Sequence, residues 1–497
     1  MVKHQPLLLL LSLRTLHAFF IFPGSSSSFG DERRRLVVTA VGTTVGVTAL
    51  SSRKVRRSVR FEAGLALILS RYVSWWAFES RGIERHESLE RVHEETAEKT
   101  EQLVRSMMGA YVKSAQIVSS AFPETLPAAW VRRLETLVDD APPRPWVETK
   151  KVLEKELDGG IEKFFSKFDE VPVAAASVGQ VHRAELLSGE EVAVKIQYPG
   201  VESLIVDDLA NVRRVVSILK PALLPAIDEF RLRVSGEFDY VKEGERANMV
   251  KAFFENRKDL RKKIIVPGSI FTTKKLLVMD WLDGGSLRDS LRRDYMKLSK
   301  KPEGLRRNFG LFQLRRRGRR ALETVAVAHG AMIFDLSAFT VDPHPGNIID
   351  SSKKIGIIDF GNFKTFTASE RLKVALLYKA LDTKDKPAIV RAMQDMGFRS
   401  QKMDPDFVVA FATQCFDHNI VDTSPYQLLQ DLEQQDRLLT IPSAYMLVCR
   451  VSLLVRGLAR RLGYEHFSCA NLWRNEVNNC LRQFQEDDKI IDNTASI

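Results

Sequence analysis

The chain has 497 residues, 44% of them hydrophobic and 28% charged, which are ordinary proportions for globular domains. At about 150 residues per domain, this length corresponds to roughly three domain-sized units. Length and composition therefore exclude a small disulfide scaffold, a collagen, a wholly disordered chain and a polytopic membrane protein. The formal net charge of +11 favours anionic partners such as nucleotides, acidic lipid headgroups or nucleic acid.

Residues 1–30 have the pattern of a targeting segment. A Lys/His start leads into a short leucine-rich stretch and a serine cluster without acidic residues, which is typical of a signal or transit segment that is later removed. We therefore expect import into an organelle.

Residues 31–80 form a basic and apolar segment that we expect to lie near a membrane. The apolar run at 36–50 is shorter than the ~20 residues needed to span a bilayer. The stretch at 61–78 carries Trp75 and Trp76 near its end, and tryptophans often anchor helices at membrane interfaces. Two interpretations stay open for this stretch: a helix lying on a membrane, or a helix packed on the domain that follows.

The order of the predicted elements indicates a kinase-like layout. A helix-rich stretch is followed by Pro-rich connectors, and we place a boundary near residue 150. Two strands around a Ser-Gly turn at 184–198, a helical stretch at about 201–256 and a strand at 274–282 come next, before a mainly helical region with short β pieces. This pattern predicts an α+β, two-lobed protein-kinase-like fold with an N-terminal helical extension. The predicted domains are the targeting segment (1–30), the membrane-proximal segment (31–80), the helical extension (81–150), a small sheet-containing N-lobe (151–285), a helical C-lobe (286–485) and a tail (486–497).

The four cysteines all lie in the last quarter of the chain, without a CxxC pair or a nearby His at metal-ligand spacing. We predict that they are reduced and packed as small apolar side chains. They are Cys415, Cys449, Cys469 and Cys480.

The sharpest chemical signal is VDPHPGNIIDSSKKIGIIDFG at 341–361. Asp342 precedes Asn347 by five positions, the spacing of the kinase catalytic loop, and Asp359 begins a DFG triplet twelve residues later. Mg²⁺ prefers carboxylate and amide oxygens, so Asn347 and Asp359 are the predicted metal ligands, with Asp342 orienting the nucleophile. A DFG triplet alone is a weak signal, but its combination with the upstream Asp/Asn pair is specific.

A second signal lies upstream, in the order that a kinase requires. VAVK at 192–195 places Lys195 on a predicted strand, where its ammonium could pair with the α- and β-phosphates of ATP. Glu243, on a predicted helix, is the candidate partner that would fix Lys195. Taken singly, a strand lysine or a helical glutamate is usually only surface charge.

An alanine-rich segment stands where a protein kinase has its glycine-rich loop. AAASVGQV at 174–181 contains one glycine, whereas phosphate-contacting loops use glycine because the backbone must approach closely. The alanines restrict the loop and predict altered nucleotide preference or handling. The candidate nucleotide-binding residues are Ala174, Ala175, Ala176, Ser177, Val178, Gly179, Gln180, Val181 and Lys195, with Met279, Asp280 and Leu282 on the later strand.

Together, the alanine-rich loop followed by VAVK and the DPHPGN loop followed by DFG closely resemble the UbiB family of atypical kinases, also called the ADCK or AarF-like family. The resemblance extends over roughly 105–365 and more weakly to about 480. It implies a kinase-like fold that binds ATP with Mg²⁺. It also implies a role in isoprenoid-quinone or related lipid metabolism in a mitochondrion or plastid.

The resemblance also identifies two further family motifs in this chain. The family's K-x-G-Q motif corresponds to KSAQ at 113–116, and its E-x-D motif to EFD at 237–239. In the family the helical extension folds over the cleft where a protein substrate would bind. The resemblance alone implies an ion pair of Lys113 with Glu237 or Asp239, and a regulatory role for Lys113, Gln116, Glu237 and Asp239.

The chain departs from the family at two positions. Ala115 replaces the glycine of K-x-G-Q, which adds a methyl group at a close helix contact. Thr340 stands where the family has the His of its H-x-D triplet, which puts catalytic rate in doubt more than nucleotide binding. His344, in contrast, follows the family and needs no metal role.

LRRNFGLFQLRRRGRR at 305–320 has seven Arg, no acidic residue and interleaved Leu and Phe. A solvated basic insert and a surface apposed to anionic lipid are both compatible with it. It lacks a nucleic-acid-binding motif, so no nucleic-acid partner is expected.

The sequence thus predicts a membrane-associated kinase or ATPase that uses ATP and Mg²⁺. The expected partners are ATP or ADP, anionic membrane lipids or an isoprenoid lipid, and lipid-biosynthesis proteins. The alternative is a catalytically weak pseudokinase scaffold that binds nucleotide and lipid or protein partners.

Overall fold

The computed structural model describes residues 53–79, 88–107, 111–112, 115, 127–135, 143–175, 178–219, 224, 228, 231, 236–351, 354–418, 435–464 and 467–495. The chain divides into two compact units. The first unit comprises the described parts of 1–189 and 194–238, and the second unit those of 190–193 and 239–497.

The first unit consists of helices followed by antiparallel strands. Strand β3 pairs with both β1 and β2, and Ala174 of β2 stands opposite Val181. The predicted Ser-Gly turn is present between β3 and β4, where Gly189 has a φ of +89° that favours glycine. The elements are α1 (Arg53–Glu79), α2 (Leu89–Met107), α3 (Ala128–Glu135), α4 (Trp146–Glu156), β1 (Phe165–Phe168), β2 (Ala174–Ala175), β3 (Gly179–Leu186), β4 (Glu191–Gln197, shared with the second unit) and α5 (Val201–Leu219).

Helix α1 covers the stretch for which two interpretations were open, and it packs against α2 and α5. Arg57 of α1 donates two hydrogen bonds to the Asp208 carboxylate of α5, from Nε (3.1 Å) and Nη2 (2.8 Å). The ring of Phe61 lies 4.4 Å from that of Tyr111. The packed alternative is therefore the one that the structure adopts for this helix. Within the described residues, no helix has the length and apolarity to cross a membrane.

Helix α4 runs across the boundary that the sequence predicts near residue 150. Pro145 stands at its N-cap, so the Pro-rich connector starts a helix, because proline is tolerated at helix starts. The side chain of Gln180, on β3, accepts from the N–H of Arg144 (3.0 Å) and donates to Oγ1 of Thr149 (3.2 Å). Gln180 is fully buried, and its side chain joins the start of α4 to the sheet.

The second unit contains short strand pairs and most of the helices. β10 and β11 form an antiparallel hairpin, β8 pairs with β10, β5 with β11, β9 with β12, β6 with β7, and β13 with β14. The elements are α6 (Tyr240–Asn256), β5 (Ile264–Ile265), β6 (Ser269–Thr272), β7 (Leu276–Asp280), β8 (Gly285–Ser286), α7 (Leu287–Ser299), α8 (Leu305–Ala331), β9 (Ala338–Thr340), β10 (Ile348–Ser351), β11 (Lys354–Ile357), β12 (Phe363–Thr365), α9 (Ala368–Thr383), α10 (Lys386–Asp395), β13 (Arg399–Ser400), α11 (Pro405–Ala412), β14 (Leu438–Thr440), α12 (Ser443–Arg461), α13 (Cys469–Leu472) and α14 (Arg474–Ala495).

Trp473 lies at the centre of the core of the second unit. It is fully buried, and its indole Nε1 donates to the carbonyl oxygen of Ala326 on α8 (2.7 Å). The rings of Phe334 and Tyr378 pack against it. The four cysteines are buried and free, which confirms their prediction as reduced, packed side chains.

Gly330 allows Trp473 to pack directly on α8, so a methyl group at this position should be destabilising. A Cβ on Gly330 would lie 2.4 Å from Cδ1 of Trp473. We expect Gly330→Ala to lower the free energy of unfolding by about 1–3 kcal/mol through overpacking. The matched control is Gly457→Ala on α12, where a Cβ meets nothing within 4 Å and should raise stability by about 0.5–1 kcal/mol. Urea unfolding measures both, and equal effects of the two variants would contradict the close contact.

The Arg57–Asp208 pair should be essential to the packing of α1, because the Asp208 side chain is only 1% exposed. Arg57→Ala leaves that carboxylate buried without this partner and should lower the free energy of unfolding by about 3 kcal/mol. The exposed pair of Arg213 and Asp228 in the same unit provides the control, since Arg213→Ala should cause no measurable change. Urea unfolding followed by circular dichroism compares the two variants, and equal midpoints would refute the prediction.

Candidate active site

The β10–β11 hairpin brings the two predicted metal ligands to the same end of a small sheet. Asn347 directly precedes β10, Asp359 follows β11 by two residues, and Ile348 stands opposite Ile357 in the hairpin. The N–H of Ile358 donates to the carbonyl oxygen of Asn347 (3.2 Å). Asn347 and Asp359 are therefore twelve residues apart in the sequence, but their backbone segments are neighbours in the fold.

The catalytic-loop segment before the hairpin is held by its own hydrogen bonds. The Asn347 side chain donates from Nδ2 to the carbonyl oxygen of Asp342 (3.3 Å), which leaves Oδ1 as the oxygen suited to a metal. The Gly346 N–H donates to Nδ1 of His344 (3.1 Å). His344 thus caps the turn.

The DFG turn is closed by the side chain of its own aspartate. The N–H of Gly361 donates to Oδ1 of Asp359 (2.9 Å). A Cβ on Gly361 would lie 3.3 Å from that same Oδ1 and 3.5 Å from Oε2 of Glu243. The structure therefore brings the Glu243 carboxylate next to the DFG turn.

Helix α6 positions Glu243 one turn after its start. Asp239 is its N-cap, accepting from the N–H of Lys242 (3.4 Å), and the Lys242 ammonium lies 3.2 Å from the same carboxylate. Burial raises the pKa of Asp239, but the hydrogen bonds and charge of Lys242 outweigh it and hold the pKa below its usual value. Glu243 itself is only 2% exposed, so its carboxylate belongs to the interior of the site.

Arg246, which the sequence did not single out, connects α6 to the DFG turn. Its Nη1 donates to the carbonyl oxygens of Phe360 (3.2 Å) and Gly361 (2.9 Å), and its guanidinium lies over the ring of Phe363. Burial lowers the pKa of Arg246, and the nearby Glu243 carboxylate opposes this shift. The spacing of three residues places Arg246 on the same helix face as Glu243, but only the fold reveals its target.

Arg450, on α12, is the second site residue that sequence reasoning missed. Its Nη2 lies 3.6 Å from Oδ1 of Asp342. About one hundred residues separate the two, and no local pattern links them. Thr340, at the position of the family's histidine, is buried and pairs with Phe363 across β9 and β12. Its contribution in the structure is to strand pairing.

The candidate nucleotide-binding residues divide between the units. The alanine-rich loop and Lys195, on β4, belong to the first unit, whereas Glu243 belongs to the second, so the Lys195–Glu243 ion pair stays a prediction. Val178 is buried beside Tyr198 and Phe238. Ala174 and Ala175 form β2, Gly179, Gln180 and Val181 begin β3, and the buried side chain of Gln180 is engaged by α4 as described above. Ala176 and Ser177 lie outside the described residues.

Met279 and Asp280 end β7, and Leu282 follows it. The Asp280 carboxylate accepts from Nζ of Lys251 (2.7 Å) and from the N–H of Gly268 (2.8 Å). Its side chain therefore fastens β7 to α6 within the second unit.

Of the predicted regulatory residues, Lys113 and Gln116 lie outside the described residues. Glu237 is in the turn before α6, and Asp239 is its N-cap. Ala115, the departure from K-x-G-Q, is buried in a cluster with Met107 and Tyr111. The extra methyl group of alanine is thus accommodated in the core of the first unit.

The residues at the hairpin end fit a magnesium ion bound together with phosphates. Asp359 supplies a carboxylate and Asn347 an amide oxygen, and Mg²⁺ is usually held by one or two such ligands plus phosphate oxygens and water. Across the described residues, no three His, Cys, Asp or Glu side chains form a preformed metal cage. The single carboxylate of Asp359 and the amide oxygen of Asn347 suit a metal that arrives with a nucleotide.

Comparisons with known proteins show which family the chain resembles. The family model for the ABC1 atypical kinase-like domain matches residues 136–393. "Protein ACTIVITY OF BC1 COMPLEX KINASE 3, chloroplastic" from Arabidopsis thaliana is 27% identical over 70% of this chain and 48% of its own length. "AarF domain-containing protein kinase 1" from Xenopus laevis is 25% identical over 84% of this chain and 82% of its own length.

The chain spans about half the length of the Arabidopsis relative and about two thirds of "AarF domain-containing kinase 1" from Drosophila melanogaster. One solved structure is entitled "The complex structure of Rv3197-erythromycin from Mycobacterium tuberculosis". Its match covers 75% of this chain and 97% of the chain in that structure, with 22% identity and a TM-score of 0.42. The family match covers more than half of the chain and includes the loop, the strand lysine and the DFG turn. The chain therefore belongs to the ABC1 atypical kinase-like family, which confirms both the UbiB resemblance and the α+β kinase-like fold.

Proposed function

We propose that this chain is a membrane-associated atypical kinase or ATPase that binds Mg-ATP and supports isoprenoid-quinone or related lipid metabolism in a mitochondrion or plastid. The observation that carries the proposal is the grouping of Glu243, Asp359 and the catalytic-loop residues Asp342 and Asn347 in one unit. Family membership supports kinase-type chemistry at this grouping.

Each residue has a distinct task in the proposed chemistry. Asn347 and Asp359 would hold Mg²⁺, which when bound would neutralise charge on the phosphates. Lys195 would contact the α- and β-phosphates, and Glu243 would orient its ammonium. Asp342 would accept or orient the proton of the attacking hydroxyl or water, and the alanine-rich loop would cover the nucleotide.

The proposals for the phosphoryl acceptor and for the cellular compartment are based on family membership and on the predicted targeting segment. Two Arabidopsis relatives carry the word chloroplastic in their names, and the pattern of residues 1–30 suits organelle import. The proposed partners are an isoprenoid lipid, anionic membrane lipids and lipid-biosynthesis proteins. Lys113 and Gln116, with Glu237 and Asp239, would regulate access of a substrate to the cleft.

A nucleotide-binding scaffold is the second candidate, and two observations favour it. Arg450 already engages the Asp342 carboxylate, and Thr340 stands in place of the family's histidine. This ion pair engages the carboxylate that kinase chemistry would use to orient the nucleophile. Mg-ATP binding without turnover would support this candidate.

Asp359→Asn tests the proposed function, because the amide keeps an acceptor for the Gly361 N–H but removes the charge that Mg²⁺ requires. At 100 times its dissociation constant, Mg-ATP should add about 2.7 kcal/mol to the stability of the wild type. We expect Asp359→Asn to lose the corresponding melting shift and ATP turnover, whereas the exposed Asp395→Asn retains both. A wild type without a Mg²⁺-dependent shift would overturn the proposal.

Arg246 should affect metal affinity, since it restrains the turn that carries Asp359. Hydrogen bonds from a charged donor contribute about 1.5–3 kcal/mol, so Arg246→Ala should raise the Mg²⁺ concentration for half-maximal ATP stabilisation by roughly tenfold or more. Arg246→Lys keeps the charge and should recover part of the effect. A Mg²⁺ titration at fixed ATP measures it, with the exposed Arg261→Ala as control. Unchanged Mg²⁺ dependence in Arg246→Ala would show that the two carbonyl contacts do not position the metal ligand.

A further inference from the structure

The positive charge of the chain is concentrated in one pair of helices. Residues 287–320 contain thirteen Lys and Arg but three Asp and Glu, a net charge of +10, while the entire chain has a net charge of +11. These residues form α7, the connection after it and the first four turns of α8. We call this segment the basic hairpin.

The contacts between α7 and α8 establish which faces point inward. A Cβ on Gly310 would lie 2.6 Å from Leu298, and one on Gly318 would lie 3.5 Å from Leu291. Nη1 of Arg317 lies 2.8 Å from the Asp294 carboxylate. These pairs run in opposite directions along the two helices, so the hairpin is antiparallel and closely packed.

The opposite face of α8 presents large apolar side chains to solvent. Leu305, Phe309 and Phe312 are 90%, 64% and 59% exposed, and their spacing places them on one helix face. Arg316 continues the same stripe one turn later. Exposed aromatic residues at helical spacing between arginines define an amphipathic surface with a basic border.

The acidic residues of the basic hairpin are already paired within it. Asp289 lies beside Arg288, Asp294 pairs with Arg317, and Glu303 lies 3.3 Å from Arg307. The hairpin therefore neutralises few of its own basic groups. The resulting surface has a strong positive potential around an apolar stripe.

The geometry points to the basic hairpin as the surface by which this protein docks on a lipid bilayer containing anionic lipid. Leu and Phe side chains on one helix face can enter the acyl boundary, while the flanking arginines contact anionic headgroups. A nucleic acid would satisfy the arginines but would leave the apolar stripe in contact with a polar backbone. The inference locates the membrane association within the proposed function, and it does not depend on nucleotide chemistry.

The test is flotation of the full chain with vesicles of phosphatidylcholine alone or with 30% phosphatidylglycerol. We expect binding only with the anionic lipid, and weaker binding at higher salt. Arg315→Glu with Arg316→Glu should weaken it at least about thirtyfold, because each basic residue at an anionic surface contributes roughly fivefold. Phe309→Ser with Phe312→Ser should weaken it about tenfold through loss of apolar burial.

Matched controls occupy other exposed positions of the same unit. Arg261→Glu with Lys262→Glu makes the same charge change, and Leu376→Ser with Leu439→Ser removes two exposed apolar side chains. Both control pairs should bind vesicles like the wild type. Equal loss in the controls, or unchanged binding in either hairpin variant, would overturn the inference.

Two further measurements separate this inference from neighbouring explanations. Retention of a short DNA duplex by the wild type, with loss in the hairpin variants and no vesicle binding, would assign the surface to nucleic acid and overturn the inference. The Mg-ATP melting shift of the hairpin variants should equal that of the wild type. If the wild type lacks that shift but binds anionic vesicles through the hairpin, the proposed function fails while the docking surface stands.

Discussion

The β10–β11 hairpin is the constraint on which the candidate site depends. Its register places Asn347 and the DFG segment at the same end, and β12 then returns to pair with β9, the strand that precedes the catalytic loop. The loop and the DFG turn thus belong to a short, doubly paired unit. Small changes in this register would separate the two predicted metal ligands, because one residue of slip turns every side chain to the other face.

Helix α6 also restrains the DFG turn. Glu243 brings a carboxylate beside Gly361, and Arg246 holds two carbonyl oxygens of the same turn. Movement of α6 along its axis would disturb both contacts at once. The predicted metal ligand Asp359 therefore lies in a turn held by the helix that bears the proposed partner of Lys195, although the two come from different parts of the sequence.

Within the second unit, the candidate site and the basic hairpin consist of different residues. The basic hairpin has a net charge of +10, whereas the entire chain has a net charge of +11. Arg317 lies at the meeting point, since it contacts Asp294 within the hairpin and lies 3.3 Å from Asp350 at the distal part of β10. A surface with this charge would orient the protein on an anionic layer without using the residues proposed to bind nucleotide.

The sequence by itself determined the class of fold and the family, because short spacings carry that information. Asp342 and Asn347 are five residues apart, and VAVK and the DFG triplet show strand alternation or turn chemistry locally. The strands around the Ser-Gly turn and the buried cysteines also followed from local pattern. The boundary placed near residue 150 stays a prediction, and α4 (Trp146–Glu156) runs across that position.

Only the tertiary structure decided the contacts between distant residues. Arg246 and Arg450 look like ordinary helix arginines until the fold brings them to Gly361 and Asp342. The choice between a membrane-lying and a packed α1 likewise depended on Asp208, about 150 residues later. A charged side chain has no preferred partner in the sequence. Its role is set by which opposite charge or carbonyl oxygen the packing places within hydrogen-bond distance, and that distance is a property of the folded chain.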